Sequence, residues 1–238
     1  MKPLSLILPC YNEAKSLPNL VRRAKAAAEE AGLTAAHFQL VLVDNGSSDN
    51  TASVLEELKA SNLAPWLKVV SLPVNQGYGG GIWTGLCATS APVVGWSHAD
   101  EQCDPADSIR ALGEVEPRTI VRGVRSGRDW KDRTMSRVFE KLARLLLGLS
   151  VDELNGQPKV FHRELLSEIA APPKSFAFDL YVLYRAARAG YSLKSIPVFF
   201  PPRVHGASRW AHSLLGRSKT IFGMVRYMGR LLITEGRV

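Results

Sequence analysis

The chain is poor in cysteine. Cys10, Cys87 and Cys103 are far apart, odd in number and never form C-x-x-C. That excludes a disulfide framework and a zinc ribbon, and it fits a reducing, cytosolic setting. The five histidines never recur at the H-x-x-x-H spacing of a helical metal site. Long apolar runs are also missing. Leu142 to Leu149 and Thr220 to Ile233 are short or broken by Arg, well under the roughly 18 residues needed to cross a bilayer. The opening Met1-Lys2-Pro3-Leu4-Ser5-Leu6-Ile7-Leu8-Pro9 is too short and Pro-broken for a signal peptide and reads as a first strand. There is no internal repeat, low-complexity linker or Walker motif, and from Gly77 a G-x-G-x-x-G pattern fails at Ile82. No nucleic-acid-binding module accompanies the basic residues, so nucleic acid is not an expected partner.

What is present is an ordinary globular composition, 46% hydrophobic and 22% charged over 238 residues. That suits one large α/β domain with a helical appendage, divided as 1–211 and 212–238. The net charge of +8 is uneven. Residues 117–144 hold nine Lys/Arg against three acids, and residues 203–238 hold seven against one. Two late basic segments on an otherwise acidic chain point to a phosphate-rich ligand or an anionic membrane surface.

The first half alternates strand and helix. Strands are expected at 4–8, 39–43, 66–72 and 92–96, and helices at 17–31, 50–61 and 81–89. Ser16 is placed to cap the first helix, and Asp49 or Asn50 the second. Such an order predicts a mainly parallel sheet flanked by helices. Beyond residue 110, strands are expected at 119–124 and 192–200, with helices at 132–149 and 179–189. One or two basic amphipathic helices should follow over 213–234.

Three polar clusters follow strands and precede helices, where open α/β sheets bind ligands. The apolar run Leu40 to Val43 stops at Asp44-Asn45-Gly46-Ser47-Ser48-Asp49-Asn50-Thr51. Pro9-Cys10-Tyr11-Asn12-Glu13 would face the same crevice. Asn75-Gln76-Gly77-Tyr78-Gly79-Gly80-Gly81 would let backbone approach a ligand phosphate or sugar. A further loop, His98-Ala99-Asp100-Glu101-Gln102-Cys103-Asp104, alternates His98, Asp100 and Gln102 on one side, and oxygen ligands there would suit Mg²⁺ or Mn²⁺. Strands, turns and capped helices without chemistry account for each cluster taken alone.

Together these segments resemble the family 2 glycosyltransferases of GT-A (Rossmann-like) fold, with most likeness to the polyprenyl-phosphate sugar transferases of the dolichyl-phosphate mannose synthase kind. P-x-Y-N-E is matched by Pro9, Tyr11, Asn12 and Glu13. D-D-G-S-x-D-x-T is matched by Asp44, Gly46, Ser47, Asp49 and Thr51, with Asn45 for the second Asp. N-x-G-x-G is matched by Asn75, Gly77 and Gly79, and D-A-D-x-Q by Ala99, Asp100 and Gln102, with His98 for the first Asp. Further on, Arg125, Arg133 and Ser136 resemble a lipid-phosphate clamp. Asp152 to Phe161, Phe178-Asp179-Leu180, and Arg203 through Trp210 resemble acceptor-site segments, with Tyr181 where many relatives carry Glu.

The resemblance implies inverting transfer of a sugar from a GDP- or UDP-sugar to a polyprenyl phosphate. Pro9, Tyr11, Glu13, Asp44, Asn75, Gly77, Gly79, Ala99 and Asp100 would bind the donor. Asp100, Gln102 and His98 would hold Mn²⁺ or Mg²⁺, although His is a poor Mg²⁺ ligand. Arg125, Arg133, Ser136 and Arg203 would bind the acceptor phosphate, with Asp100, Arg125 and Arg133 as the catalytic set. The protein would work peripherally on the cytoplasmic face of a membrane, where a separate membrane protein could supply an anchor. Two other readings stay open. One is a family 2 enzyme acting on a polysaccharide or other hydroxyl acceptor, with Asp152 or Asp179 as general base. The other is a degenerate, non-catalytic scaffold.

Overall fold

The computed structural model describes residues 3–126, 130–201 and 214–238, with side chains described throughout except at 64, 130–136 and 214–220. The strands are β1 (Leu4–Cys10), β2 (Phe38–Asn45), β3 (Leu67–Leu72), β4 (Val93–Trp96), β5 (Thr119–Ser126), β6 (Lys159–His162) and β7 (Ser192–Phe199). The helices are α1 (Leu17–Glu30), α2 (Thr51–Lys59), α3 (Gly77–Cys87), α4 (Pro105–Gly113), α5 (Trp130–Leu147), α6 (Phe178–Arg188) and α7 (Leu214–Glu235). They form one seven-stranded sheet in the order β3-β2-β1-β4-β6-β5-β7. Only β6 runs antiparallel, to both β4 and β5, while β5 and β7 pair parallel.

Alternation along the buried strands explains the layers. Leu4, Leu6 and Leu8 of β1, with Leu40 and Leu42 of β2, join one core with Leu17, Leu20 and Val21 of α1, Leu55 of α2 and Leu112 of α4. Ile7, Val41 and Val43 point the other way, into a core with Ile82 of α3, Leu147 of α5, Leu183 of α6 and Met228 of α7. Successive side chains on a strand face opposite sides, so covering both faces demands an unbroken apolar run. That is why β2 reads as Leu-Val-Leu-Val. Met224, Met228 and Leu231 seat α7 on this second core, and the expected boundary at 211/212 lies outside the described residues.

Two elements differ from expectation. β6 goes unrecognised because its four residues include a lysine and a histidine, yet Lys159 is wholly buried. α3 begins at Gly77, a turn earlier than expected. Glycine disfavours helices, but here each one admits a neighbour. A Cβ at Gly79 would collide with the Pro173 carbonyl and the Phe178 side chain, and one at Gly85 would press on Ile7 and Val43. The glycine-rich run therefore seats α3 against the sheet and the 173–178 segment, a packing role beside the ligand approach expected of it.

The parallel strands all end on one edge of the sheet, and β6 begins there. Cys10 pairs with Asp44 in register, and Trp96 with Lys159. The loops carrying the sequence motifs are gathered at that rim.

Candidate functional site

The first two motifs are laced together. The Asn12 backbone N–H donates to Ser47 Oγ at 3.1 Å, and Ser48 N–H donates to Asn12 Oδ1 at 2.8 Å. Glu13 N–H donates to Thr51 Oγ1, whose hydroxyl donates to Asp49 Oδ1 at 2.5 Å. Asn12 sits at φ 59°, a left-handed conformation that asparagine tolerates better than most residues. Asp49 also accepts the Thr51 N–H, and these bonds hold its carboxyl below the ordinary range against the opposing effect of burial. Ser16 instead gives its hydroxyl to Glu13 Oε2 at 3.2 Å and makes no side-chain cap bond.

Asp44 is buried and accepts the Ser47 N–H at 3.0 Å. Next to it, the Cys10 thiol is pushed far up, chiefly by burial and then by the charges of Glu13 and Asp44. Two carboxylates thus lie near the end of β1, acceptors for a hydroxyl-bearing or cationic ligand. Asn45 is equally buried and works in both directions: its Nδ2 donates to Gly77 O at 2.9 Å and its Oδ1 accepts the Gln76 N–H at 2.8 Å. A carboxylate could not donate the first bond. Asn75 Oδ1 accepts the Gly77 N–H at 2.7 Å, so the three expected donor loops form one hydrogen-bonded unit.

In the loop after β4, His98 Nδ1 lies 3.9 Å from Asp100 Oδ2. Asp100 is buried and its Oδ1 accepts the Gln102 N–H at 3.2 Å. The Gln102 side chain reaches outward, donating to the Pro201 carbonyl at 3.0 Å. Ala99 packs into the core beneath α1 and α4. Burial, then the charge of Asp100, pushes the Cys103 thiol up to about 12. Among the described residues, no group of three or more His, Cys, Asp or Glu could hold a metal ion. His98 Nδ1 and Asp100 Oδ2 nonetheless form a nitrogen–oxygen pair at 3.9 Å, within a small side-chain shift of the roughly 3.0 Å between neighbouring ligands about 2.1 Å from one ion, and that donor set suits Mn²⁺ better than Mg²⁺.

Beside this rim is a buried charged cluster that sequence reasoning did not assemble. Lys159 (0% exposed) pairs with Asp179 (2%), and its ammonium also donates to Gly156 O at 2.9 Å. Gln157 Nε2 donates both to Asp179 Oδ1 at 2.9 Å and to the Tyr78 hydroxyl at 3.1 Å. Burial lowers the Lys159 pKa and Asp179 opposes that. Arg125 bonds Glu153 through Nε at 2.5 Å and lies over the Phe200 ring at 5.2 Å. Arg122 donates to Glu153 O at 3.3 Å and is buried near the carboxylates of Asp152, Glu153 and Glu140. Asp152 is exposed. Tyr181 spends its hydroxyl on Ala170 O at 2.5 Å and its ring on Tyr227 of α7 at 6.4 Å. The side chains of Arg133 and Ser136, and Arg203 entirely, lie outside the described residues. The members of this cluster come from α3, β5, β6, α6 and the loop before β6. A lysine 20 residues from its aspartate offers no local signal, and only the family likenesses at Arg125, Asp152–Phe161 and Phe178-Asp179-Leu180 marked parts of the cluster.

Solved structures share the fold. Mannosyl-3-phosphoglycerate synthase from Rubrobacter xylanophilus aligns with 100% of this chain and 76% of its own at 21% identity, TM-score 0.73. Glucosyl-3-phosphoglycerate synthase from Mycobacterium tuberculosis, solved with Mn²⁺, UDP and glucosyl-3-phosphoglycerate, aligns with 100% of this chain and 81% of its own at 19% identity, TM-score 0.69. The same enzyme has also been solved with UDP alone, at 20% identity and TM-score 0.68 over 96% of this chain and 80% of that one. These neighbours carry a GT-A-like sheet but are phosphoglycerate synthases, not polyprenyl-phosphate transferases. The model of "Glycosyl transferase family 2" matches residues 5–170, which takes in the laced loops, the His98–Asp100 pair and the β6 cluster apart from Asp179. With that match over most of its length, the chain belongs to glycosyl transferase family 2 and is a nucleotide-sugar-dependent glycosyltransferase.

Proposed function

We propose that the enzyme transfers the sugar of a nucleoside diphosphate sugar, with inversion, to the hydroxyl of a small phosphorylated acceptor of the phosphoglycerate class. The observation that carries the reading is the juxtaposition of two unlike half-sites on one rim. On one side stand the carboxylates Glu13, Asp44 and Asp100, and on the other Arg125, backed by the buried cations Arg122 and Lys159 with their own carboxylates. Phosphoglycerate is the acceptor of the neighbouring enzymes named above.

Asp44 and Glu13 would accept hydrogen bonds from the ribose or base, on a frame held rigid by Asn12, Ser47 and Thr51. His98 and Asp100 would hold a divalent ion, with diphosphate oxygens completing its shell. When bound, that ion supplies Lewis-acid stabilisation of the departing diphosphate. Arg125, already oriented by Glu153, would bind the acceptor's phosphate, as guanidinium geometry favours. A hydroxyl nucleophile needs a base. Asp179 spends its charge on Lys159, which leaves exposed Asp152, near Arg122, for that task.

A second reading keeps polyprenyl phosphate as acceptor, and one observation favours it. The exposed stripe of α7 consists of Phe222, Arg226, Arg230 and Ile233, and that of α5 of Arg137, Val138, Lys141, Arg144 and Leu145, with no acid among them. Basic and apolar residues on one helix face suit an anionic lipid surface. No helix among the described residues is long and apolar enough to cross a membrane. An anionic phosphate oxygen would also need no base.

The test is a panel of radiolabelled nucleotide sugars with Mn²⁺ and either 3-phosphoglycerate or polyprenyl phosphate. Label in a water-soluble anionic product supports the first reading, and Asp152→Asn should then abolish turnover. Label extracted into organic solvent replaces it with the second. The anomeric configuration of the product, read by NMR, decides inversion. Transfer undiminished in Asp100→Ala would remove the cation site.

A further inference from the structure

We propose that Tyr78 is a positioning residue that sets the His98 imidazole for the divalent ion; this rests on the proposed cation site at His98 and Asp100. An imidazole that binds metal must be held in one plane, a task usually done by a hydrogen bond to its other nitrogen. Asp100 does not orient this ring, because 3.9 Å from His98 Nδ1 to Asp100 Oδ2 is beyond hydrogen-bond distance. His98 is 28% exposed at its side chain and has a neighbour of another kind. The Tyr78 ring stands against it edge-on, with centroids 5.9 Å apart and planes at 67°, a favourable aromatic geometry.

Tyr78 is itself immobilised on three sides. Its other contact is a stack on Phe176, 5.0 Å between centroids at 21°. Its hydroxyl accepts the bond from Gln157, whose second amide hydrogen goes to Asp179, itself tied to buried Lys159. Its backbone is pinned where the Gly79 N–H donates to Lys174 O at 3.0 Å. A continuous chain of contacts thus runs from an ion pair in the core to the imidazole at the rim.

The experiment measures Mn²⁺ affinity by electron paramagnetic resonance in the presence of UDP, and UDP affinity without metal. It compares wild type, Tyr78→Leu, Tyr78→Phe, His98→Ala and the double variant Tyr78→Leu/His98→Ala. Tyr78→Leu should weaken Mn²⁺ binding about tenfold, the scale of losing a residue that orients a ligand, with metal-free UDP binding unchanged. The double variant should bind Mn²⁺ no more weakly than His98→Ala. Tyr78→Phe, which keeps the ring but loses the anchor, should fall between; if Tyr78→Leu does not fold, a severalfold loss in Tyr78→Phe supports the inference and no loss overturns it. Wild-type affinity in Tyr78→Leu alongside weakened His98→Ala, or additive losses in the double variant, would overturn this inference alone. A wild type that does not bind Mn²⁺ would overturn the cation site and the inference together.

Discussion

Asn45 stands where the motif resembled by this chain carries aspartate, and the structure says what Asn45→Asp should do. The side chain is buried, donating to Gly77 O at 2.9 Å and accepting from Gln76 N–H at 2.8 Å. A carboxylate keeps the second bond and strengthens it by about 1 kcal/mol, since charge-assisted bonds are roughly twice as strong. It loses the first, and one of its oxygens then faces a carbonyl oxygen at the same separation. The lost bond costs about 1–3 kcal/mol, and desolvating a buried carboxylate costs several more. The net loss is about 3–5 kcal/mol at neutral pH, or roughly 6–20 °C in Tm for a chain of this size. The sign of the pH dependence follows. Burial and the facing carbonyl raise the introduced carboxyl's folded pKa above its unfolded value of about 3.9. The penalty is therefore absent below the unfolded pKa, where the protonated acid can donate to Gly77 O, and it grows as pH rises through the folded pKa. Urea denaturation of both proteins across that range measures it. Equal stabilities at pH 8, or a deficit that widens on acidification, would refute the reasoning.

Lys159→Met should cost about 3–5 kcal/mol, because Asp179 is left buried with its charge uncompensated. Lys159→Met/Asp179→Leu should cost less than the single change, and equal losses in denaturant titrations would count against a charge-pair explanation. Cysteine labelling offers a third check. Cys10 and Cys103 are buried with thiols pushed up, Cys103 to about 12, whereas Cys87 is exposed. A disulfide reagent at pH 8 should titrate one thiol in the native protein and three in denaturant, and fast reaction of a second native thiol would contradict the packing around β1 or the His98 loop.

What was legible in the sequence follows from burial. Strands covered on both faces must be apolar throughout, so β1, β2 and β4 show plainly, and the polar residues after them mark where the sheet ends. The pairing of Asn12 with Ser47 and of Glu13 with Thr51 spans more than 30 residues, but both partners were already marked by the motifs. The β6 cluster was not legible in this way. Lys159 has the look of a surface residue and lies in a strand too short for periodicity. Its partner is on α6, and the arginine that approaches Glu153 comes from β5. Part of the role of the α3 glycines was hidden for a related reason: Gly77 and Gly79 lie against the 173–178 segment, about 100 residues downstream. Arg133, Ser136 and Arg203 remain expectations from the resemblance.

The three departures from the family pattern share a logic. Asn45, His98 and Tyr181 each replace a carboxylate, and each has a neighbour that a carboxylate would not satisfy. Asn45 must donate to Gly77 O. His98 meets the edge of Tyr78, where an acid would lose the aromatic contact. Tyr181 joins Ala170 O and the ring of Tyr227, so Glu there would face a carbonyl oxygen and lose the ring contact, even with Arg185 nearby. Restoring the family residue singly should therefore lower the urea unfolding midpoint at all three positions, and an unchanged midpoint at any of them would count against this account there. Each substitution is matched to its packing: the seating of α3 at Asn45, the contact with Tyr78 that holds the His98 ring, and the docking of α7 at Tyr181. Loss of a catalytic acid to drift would leave neighbours still suited to a carboxylate, and at these positions the neighbours are suited to an amide, an imidazole and a phenol.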